Sequence, residues 1–99
     1  GTPCAIESIQ EVAQRHGLPV IYDAAHAFGV LYQGSSVLQH GDVATLSLHA
    51  TKLFHTGEGG AIITQDDEVA RRLFYMRNFG HEGPHSFAGL GINAKNSEI

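Results

Sequence analysis

A single lysine stands among short polar side chains in Ser47-Leu48-His49-Ala50-Thr51-Lys52-Leu53-Phe54-His55-Thr56-Gly57-Glu58-Gly59-Gly60. A hydroxyl, Ser47, precedes it by five residues, and a glycine-rich turn comes just after. That is how a chain presents an amine at the end of a strand. A lysine amine adds to carbonyl groups once its surroundings lower its affinity for the proton. Asp23 and, three residues on, His26 close an apolar run earlier in the chain. As a bare pair, Asp23 and Lys52 read equally as a salt bridge or as the acid and amine of a reactive site.

Rival chemistries fare worse. Seven histidines invite a metal site, but only His81 and His85 are four apart, and Gly83 and Pro84 between them argue against a helix. No metal is therefore expected. Ser47 and His49 invite a hydrolase, yet no Gly-x-Ser-x-Gly elbow surrounds the serine. Gly57-x-Gly59-Gly60 has the wrong spacing for a dinucleotide fingerprint, and a strand pattern rather than a helix follows it.

The elements that must position these groups follow from periodicity and turn chemistry. Thr2 and Pro3 suit a helix start, with Ile6, Ile9, Ala13 and His16 on one face and Val12 beside them. Gly17 and Pro19 end it, which predicts a helix over 3–16. Leu18 to Tyr22 reads as a strand buried on both faces and ending at Asp23. Val30–Tyr32 and Ser36–Leu38 flank Gln33-Gly34-Ser35 as a hairpin, and Gly41-Asp42 is a turn. Strands follow at 43–48 and 61–64. Asp66 or Asp67 caps a second helix with i,i+4 pairs Asp67–Arg71 and Glu68–Arg72, ended by Gly80; residues 81–96 read as loop.

This is an α/β pattern. The connection 49–59 is too short for a crossover helix, so the third strand should run antiparallel to the second, while the first and second can be parallel. Asp23 and Lys52 would then share the carboxyl edge where open α/β sheets bind ligands. Hydrophobic residues make up 42% and charged residues 16% of the 99, a globular balance in one small domain. The net charge of −4 and scattered basic residues exclude a nucleic-acid surface. No apolar run spans a membrane, no signal peptide is visible, and Cys4 is the one cysteine, so cytoplasm is the expected compartment. Helix-start residues at both ends, Thr2-Pro3 and Asn96-Ser97, predict a piece of a longer protein, incomplete at both ends.

Asp23-Ala24-Ala25-His26-Ala27-x-Gly29, Ser47-x-His49-Ala50-Thr51-Lys52, Gly57-Glu58-Gly59-Gly60 and Gly91-x-Asn93, taken together and in order, resemble the DegT/DnrJ/EryC1/StrS family of pyridoxal-phosphate (PLP) dependent sugar aminotransferases of fold type I. The resemblance covers essentially the whole chain. It implies a central segment of the large PLP-binding domain, spanning 1–99, with a short mixed sheet (two parallel strands plus one antiparallel) and flanking helices. It implies that Lys52 carries PLP and shuttles the proton, that Asp23 faces the pyridinium nitrogen, and that His26 bonds the phenolic oxygen. It further implies that Ser47 donates to the phosphate and that Asn93 reaches the cofactor phosphate of another subunit in a homodimer or other homo-oligomer. A nucleotide-linked keto-deoxy-sugar is the implied substrate and an amino acid, glutamate, the implied donor. By the same resemblance the segments that complete the cofactor pocket lie outside this chain, so the isolated piece should be inactive. The alternative is a non-catalytic module that folds alone or self-associates through its strand edges. His49 and His55 are expected to be structural or to support the site from behind its contact residues, and Glu58 to shape the turn.

Overall fold

The computed structural model describes residues 1–98, in two compact units, Gly1–Gln65 and the residues from Asp66 on. Each is described by itself. In the first, helix α1 runs Ile6–His16 rather than from Pro3: Ala5, at φ −75° and ψ 77°, lies outside the helical region, and no side chain caps the start. Thr2 and Pro3 therefore precede the helix. At the other end Gly17 takes the left-handed conformation (φ 62°), and the amides of Gly17 and Leu18 return to Gln14 and Ala13 carbonyls. On the predicted apolar face Ile6 and Ala13 are buried, whereas Ile9, Val12 and His16 are exposed.

The first strand is shorter and later than its apolar run suggests. β1 is Ile21–Asp23, because Leu18 is spent on the helix end and the Val20 amide donates to an Asp42 carboxylate oxygen at 2.7 Å. It is not buried on both faces: Leu18 and Ile21 are 61% and 67% exposed. A tight hairpin follows, β2 Leu31–Tyr32 against β3 Ser35–Ser36. Val37 and Leu38 do not extend β3 as the sequence suggests; Val37–Gln39 instead forms a 3-10 turn capped by the Ser36 hydroxyl. Tyr32 and Gln33 both bond the Glu7 carboxylate, pinning the hairpin to α1.

β4 Val43–Ser47 is the centre of the main sheet, with β5 Gly60–Thr64 on its other side, in the order β1-β4-β5. β1 pairs β4 in parallel, Asp23 opposite Thr45, and β5 pairs β4 antiparallel, Gly60 opposite Ser47, as the short connection requires. Gly41 makes the entry turn at φ 75°, where a Cβ would stand 2.8 Å from the Tyr22 ring. Ile6, Ala13, Ala24, Val37 and Ala44 form the small core, and Ala44 in mid-sheet is only 1% exposed.

The second unit opens with α2, Asp67–Met76, whose N-cap Asp66 accepts the Glu68 and Val69 amides at 2.8 and 3.1 Å. The expected i,i+4 ion pairs give way to an i,i+3 pair, Arg71–Glu68 at 2.6 Å. The helix ends at Met76, before Gly80, and the Arg77 guanidinium rests over the Phe74 ring at 4.7 Å. Residues 81–96 are not all loop: β6 His81–Gly83 and β7 Ser86–Phe87 form a small antiparallel ribbon. The chain then returns along the helix end, with the Ile92 and Ala94 amides bonding Met76 and Arg77 carbonyls. Backbone meets backbone here, since a Cβ on Gly91 would lie 2.2 Å from the Gly80 nitrogen.

Candidate functional site

Two loops leave the carboxyl ends of β1 and β4. Residues 24–30 form consecutive tight turns, the Ala27 amide bonding the Ala24 carbonyl and the Val30 amide bonding Ala27. Residues 48–59 close on themselves through Leu48 to Gly59 and Ala50 to Gly57. The parallel pairing of β1 and β4 sends both loops off the same sheet edge. Across them, Lys52 Nζ lies 2.6 Å from His26 Nε2. At that distance the two nitrogens cannot both be fully protonated: one must offer a lone pair to the other's proton. The sequence placed both residues at this edge without a contact between them; the structure makes them partners.

Asp23 sits at the last position of β1, and its Oδ1 accepts the Ala25 amide at 3.1 Å. It thus caps the turn after its strand with one oxygen, and Oδ2 stands outside that bond. Thr45, opposite Asp23, and Ser47, two residues on, share its sheet face. Ser47 Oγ accepts the His49 amide at 3.4 Å, which leaves its O–H to donate.

His49 stands beyond the strand end and organises the lysine loop. Its Nδ1 accepts the Thr51 amide at 3.2 Å and lies 2.9 Å from the Thr51 hydroxyl. An accepting Nδ1 carries no proton, so the proton is on Nε2, which faces a Glu58 oxygen at 3.7 Å. His55 and Gly57 meet in the same turn, with Gly57 at φ 78°. Both histidines bond within the lysine loop, and Glu58 lies at its turn.

Two features escape a reading of the sequence. Phe28 and Phe54 stack across the two loops, ring centroids 4.7 Å apart and planes within 10°. Leu53, beside the lysine, is 90% exposed. The available signal was spacing: an aromatic ring follows His26 by two residues and Lys52 by two.

A cavity of about 550 Å³ is lined by Ala25, His26, Phe28, Thr51, Lys52 and Leu53. A smaller one of about 210 Å³ takes in Cys4, Tyr22, Asp23 and His26, so His26 borders both cavities. Burial pushes the Tyr22 phenol up, with Cys4 and Glu7 adding to it, and its oxygen is buried without a partner. A flat heteroaromatic aldehyde needs an amine at its carbonyl, an acid at its ring nitrogen and a donor between. Lys52 is an amine, Asp23 an acid and His26 an imidazole at this edge, side chains of the kinds such a molecule would require. Asn93 lies in the second unit, bridged to Asn78, and its side-chain oxygen accepts from Lys95 Nζ at 2.5 Å. Among the described residues no three His, Cys, Asp or Glu side chains converge as metal ligands, and no helix is long and apolar enough to cross a membrane.

The chain is 46% identical over 99 residues to a dTDP-4-amino-4,6-dideoxy-D-glucose transaminase of Shigella dysenteriae and 43% identical to one of Escherichia coli. It covers 27% of each, so it spans about a quarter of the length of these relatives. Among solved structures, DesI with its TDP-sugar product matches at a TM-score of 0.85 and 40% identity, over 95% of this chain and 24% of that one. The Helicobacter pylori aminotransferase PseC, involved in the biosynthesis of pseudoaminic acid, matches at a TM-score of 0.89 and 29% identity, over 97% of this chain and 27% of that one. The mixed α/β arrangement is thus that of fold type I aminotransferases over the matched stretch. The model of one family matches residues 1–99, and the chain belongs to it: the DegT/DnrJ/EryC1/StrS aminotransferase family.

Proposed function

We propose that the protein carrying this chain is a PLP-dependent aminotransferase that places an amino group, taken from glutamate, on a nucleotide-linked keto-deoxy-sugar. The observation that carries this reading is the 2.6 Å contact between Lys52 Nζ and His26 Nε2, with Asp23 at the same sheet edge. The names of the Shigella and Escherichia relatives support the substrate class. PLP, when bound, supplies a reactive carbonyl and a ring that takes up electrons. Lys52 Nζ binds that carbonyl and holds the proton the reaction moves. His26, beside the amine, is placed to orient the ring through a hydrogen bond. Asp23 keeps a proton on the ring nitrogen, because a carboxylate favours the cationic form next to it. Ser47 donates its hydroxyl to the phosphate.

Asn93 serves the phosphate of a second copy's cofactor in a homodimer, and the enzyme works in the cytoplasm. The 99 residues are a central segment of the large domain and by themselves do not sustain amino transfer. The exposed Ile21 and Ile62 of the main sheet favour self-association of the isolated segment. The test is made on the full-length protein: adding PLP raises the visible absorbance band of lysine-bound cofactor, and Lys52→Ala abolishes it. A Lys52→Ala protein that keeps the band and its activity overturns the assignment. Sustained PLP-dependent transfer by the isolated 99-residue chain overturns its inactivity.

A further inference from the structure

We propose that the Phe28–Phe54 stack is a positioning device that holds Lys52 against His26. The lysine side chain has four rotatable carbons, and fixing its amine at 2.6 Å from an imidazole costs conformational entropy. The hydrogen bonds described for each loop do not meet that cost. Those of residues 24–30 close within the turn, onto β4 as Ala24 to Thr45 does, or onto Gly1 and Val37, which bond the His26 and Val30 carbonyls; those of residues 48–59 close within that loop or onto Ser47, and none of these runs from one loop to the other. Two contacts bridge the loops, and they are arranged alike. His26 meets Lys52, and two residues further along each loop Phe28 meets Phe54, with centroids 4.7 Å apart and planes 10° from parallel.

The ring pair has the geometry of an attractive stacked contact rather than of a filled core, since Phe28 and Phe54 are 41% and 49% exposed. A core role would demand burial; a bridging role demands only that the rings meet. Phe28 also lines the 550 Å³ cavity beside His26 and Lys52, so one ring of the stack forms part of the wall of the space that Lys52 lines. Breaking it frees the lysine loop, whose tip is already solvated at Leu53, to sample positions where Nζ and Nε2 are apart. Phe28 and Phe54 touch no reacting atom in this role and act through Lys52 and His26.

The proposal rests on Lys52 being the reactive amine, and the test separates the two. The full-length apo protein is mixed with PLP, and the rate of cofactor capture is followed by visible absorbance across pH, alongside thermal melts. Phe54→Leu and Phe28→Leu each slow capture by roughly 3–10-fold, the range a lost ring contact allows. The double variant is no slower than either single one, because one substitution already breaks the pair. Phe54→Tyr, which keeps a stackable ring, restores the rate. The pH profile of capture changes in Phe54→Leu, and His26→Asn costs less in that background than in the wild type. Lowered melting temperatures with unchanged rates and pH profiles mean a purely structural role and overturn the proposal. If Phe54→Leu fails to fold, Phe28→Leu and Phe28→Tyr put the same question from the other loop. Lys52→Ala must lose capture in every case. If it does not, the reading of Lys52 fails; if it does while both Leu variants behave as wild type, the stack alone fails.

Discussion

The two loops at the sheet edge are built differently. Residues 24–30 are short turns rooted in the core: Ala24 is 5% exposed, its amide bonds β4, and Asp23 caps the turn. Their far end enters the hairpin that Tyr32 and Gln33 tie to α1. Residues 48–59 are a longer excursion, closed by bonds between its own two arms and by the His49 side chain, with no buried residue at its tip. The firm loop carries the imidazole and follows the carboxylate; the freer loop carries the amine. That division suits a site in which one nitrogen must move while the groups around it stay fixed.

The sharpest test of this contrast removes the moving nitrogen. Lys52→Ala in the full-length protein should lower single-turnover amino transfer by at least about 10³-fold, as losing a nucleophile does. A smaller loss places the reactive amine elsewhere. Next comes the fixed acid: Asp23→Asn keeps the turn cap, since an amide oxygen can still accept the Ala25 amide. It removes the charge, so transfer should fall about 10²–10³-fold with little change in melting temperature. A large drop in melting temperature with intact catalysis would make Asp23 a cap and nothing more. The freer loop is probed at Gly57, where φ is +78° and no atom lies within 4 Å of the place a Cβ would take. Gly57→Ala meets strain without collision, costing about 1–2 kcal/mol confined to that loop. Hydrogen exchange should rise at Ala50 and Thr56 and stay unchanged at Ala27; equal changes in both loops erase the distinction drawn between them.

Much of this arrangement was legible in the sequence where local chemistry decides it. Gly17 marks a left-handed helix end and Asp66 a helix cap whatever surrounds them. The length and glycine content of 49–59 forced the antiparallel pairing of β4 and β5, while the parallel pairing of β1 and β4 brought Asp23 and Lys52 to one edge. Errors arose where a residue's partner is distant. Leu18 to Val20 are as apolar as a strand, but the helix end and the Asp42 carboxylate, 22 residues on from Val20, claim amides there. The ribbon after α2 depends on backbone approach at Gly80 and Gly91, which composition reads only as loop. The Phe28–Phe54 stack joins residues whose proximity exists only once both loops are built.

The smallest effect concerns the far end of the firm loop, where Tyr32 and Gln33 bond Glu7. The Tyr32 hydroxyl holds the Glu7 carboxyl below its ordinary value of 4.5, with the Gln33 amide adding to it. The same bond raises the Tyr32 phenol above 10.0. A depressed carboxyl pKa contributes stability that is present above its unfolded value and lost as pH falls through the folded one. A raised phenol pKa contributes stability that is present below its unfolded value and lost as pH rises through the folded one. The tie is therefore intact between the two titrations and weakens at both ends. Because the groups are exposed, solvent screens the interaction and the effect on global stability is slight. Glu7→Gln should lower the melting temperature a little, by an amount constant from about pH 6 to pH 9 and shrinking below about pH 4.5. Hydrogen exchange in residues 24–30 should rise toward that of the lysine loop over the same pH window. A melting difference that stays level down to pH values well inside the carboxyl range would mean that the Glu7 charge does not hold the hairpin, and that the firmness of residues 24–30 comes from Ala24 and Asp23 alone.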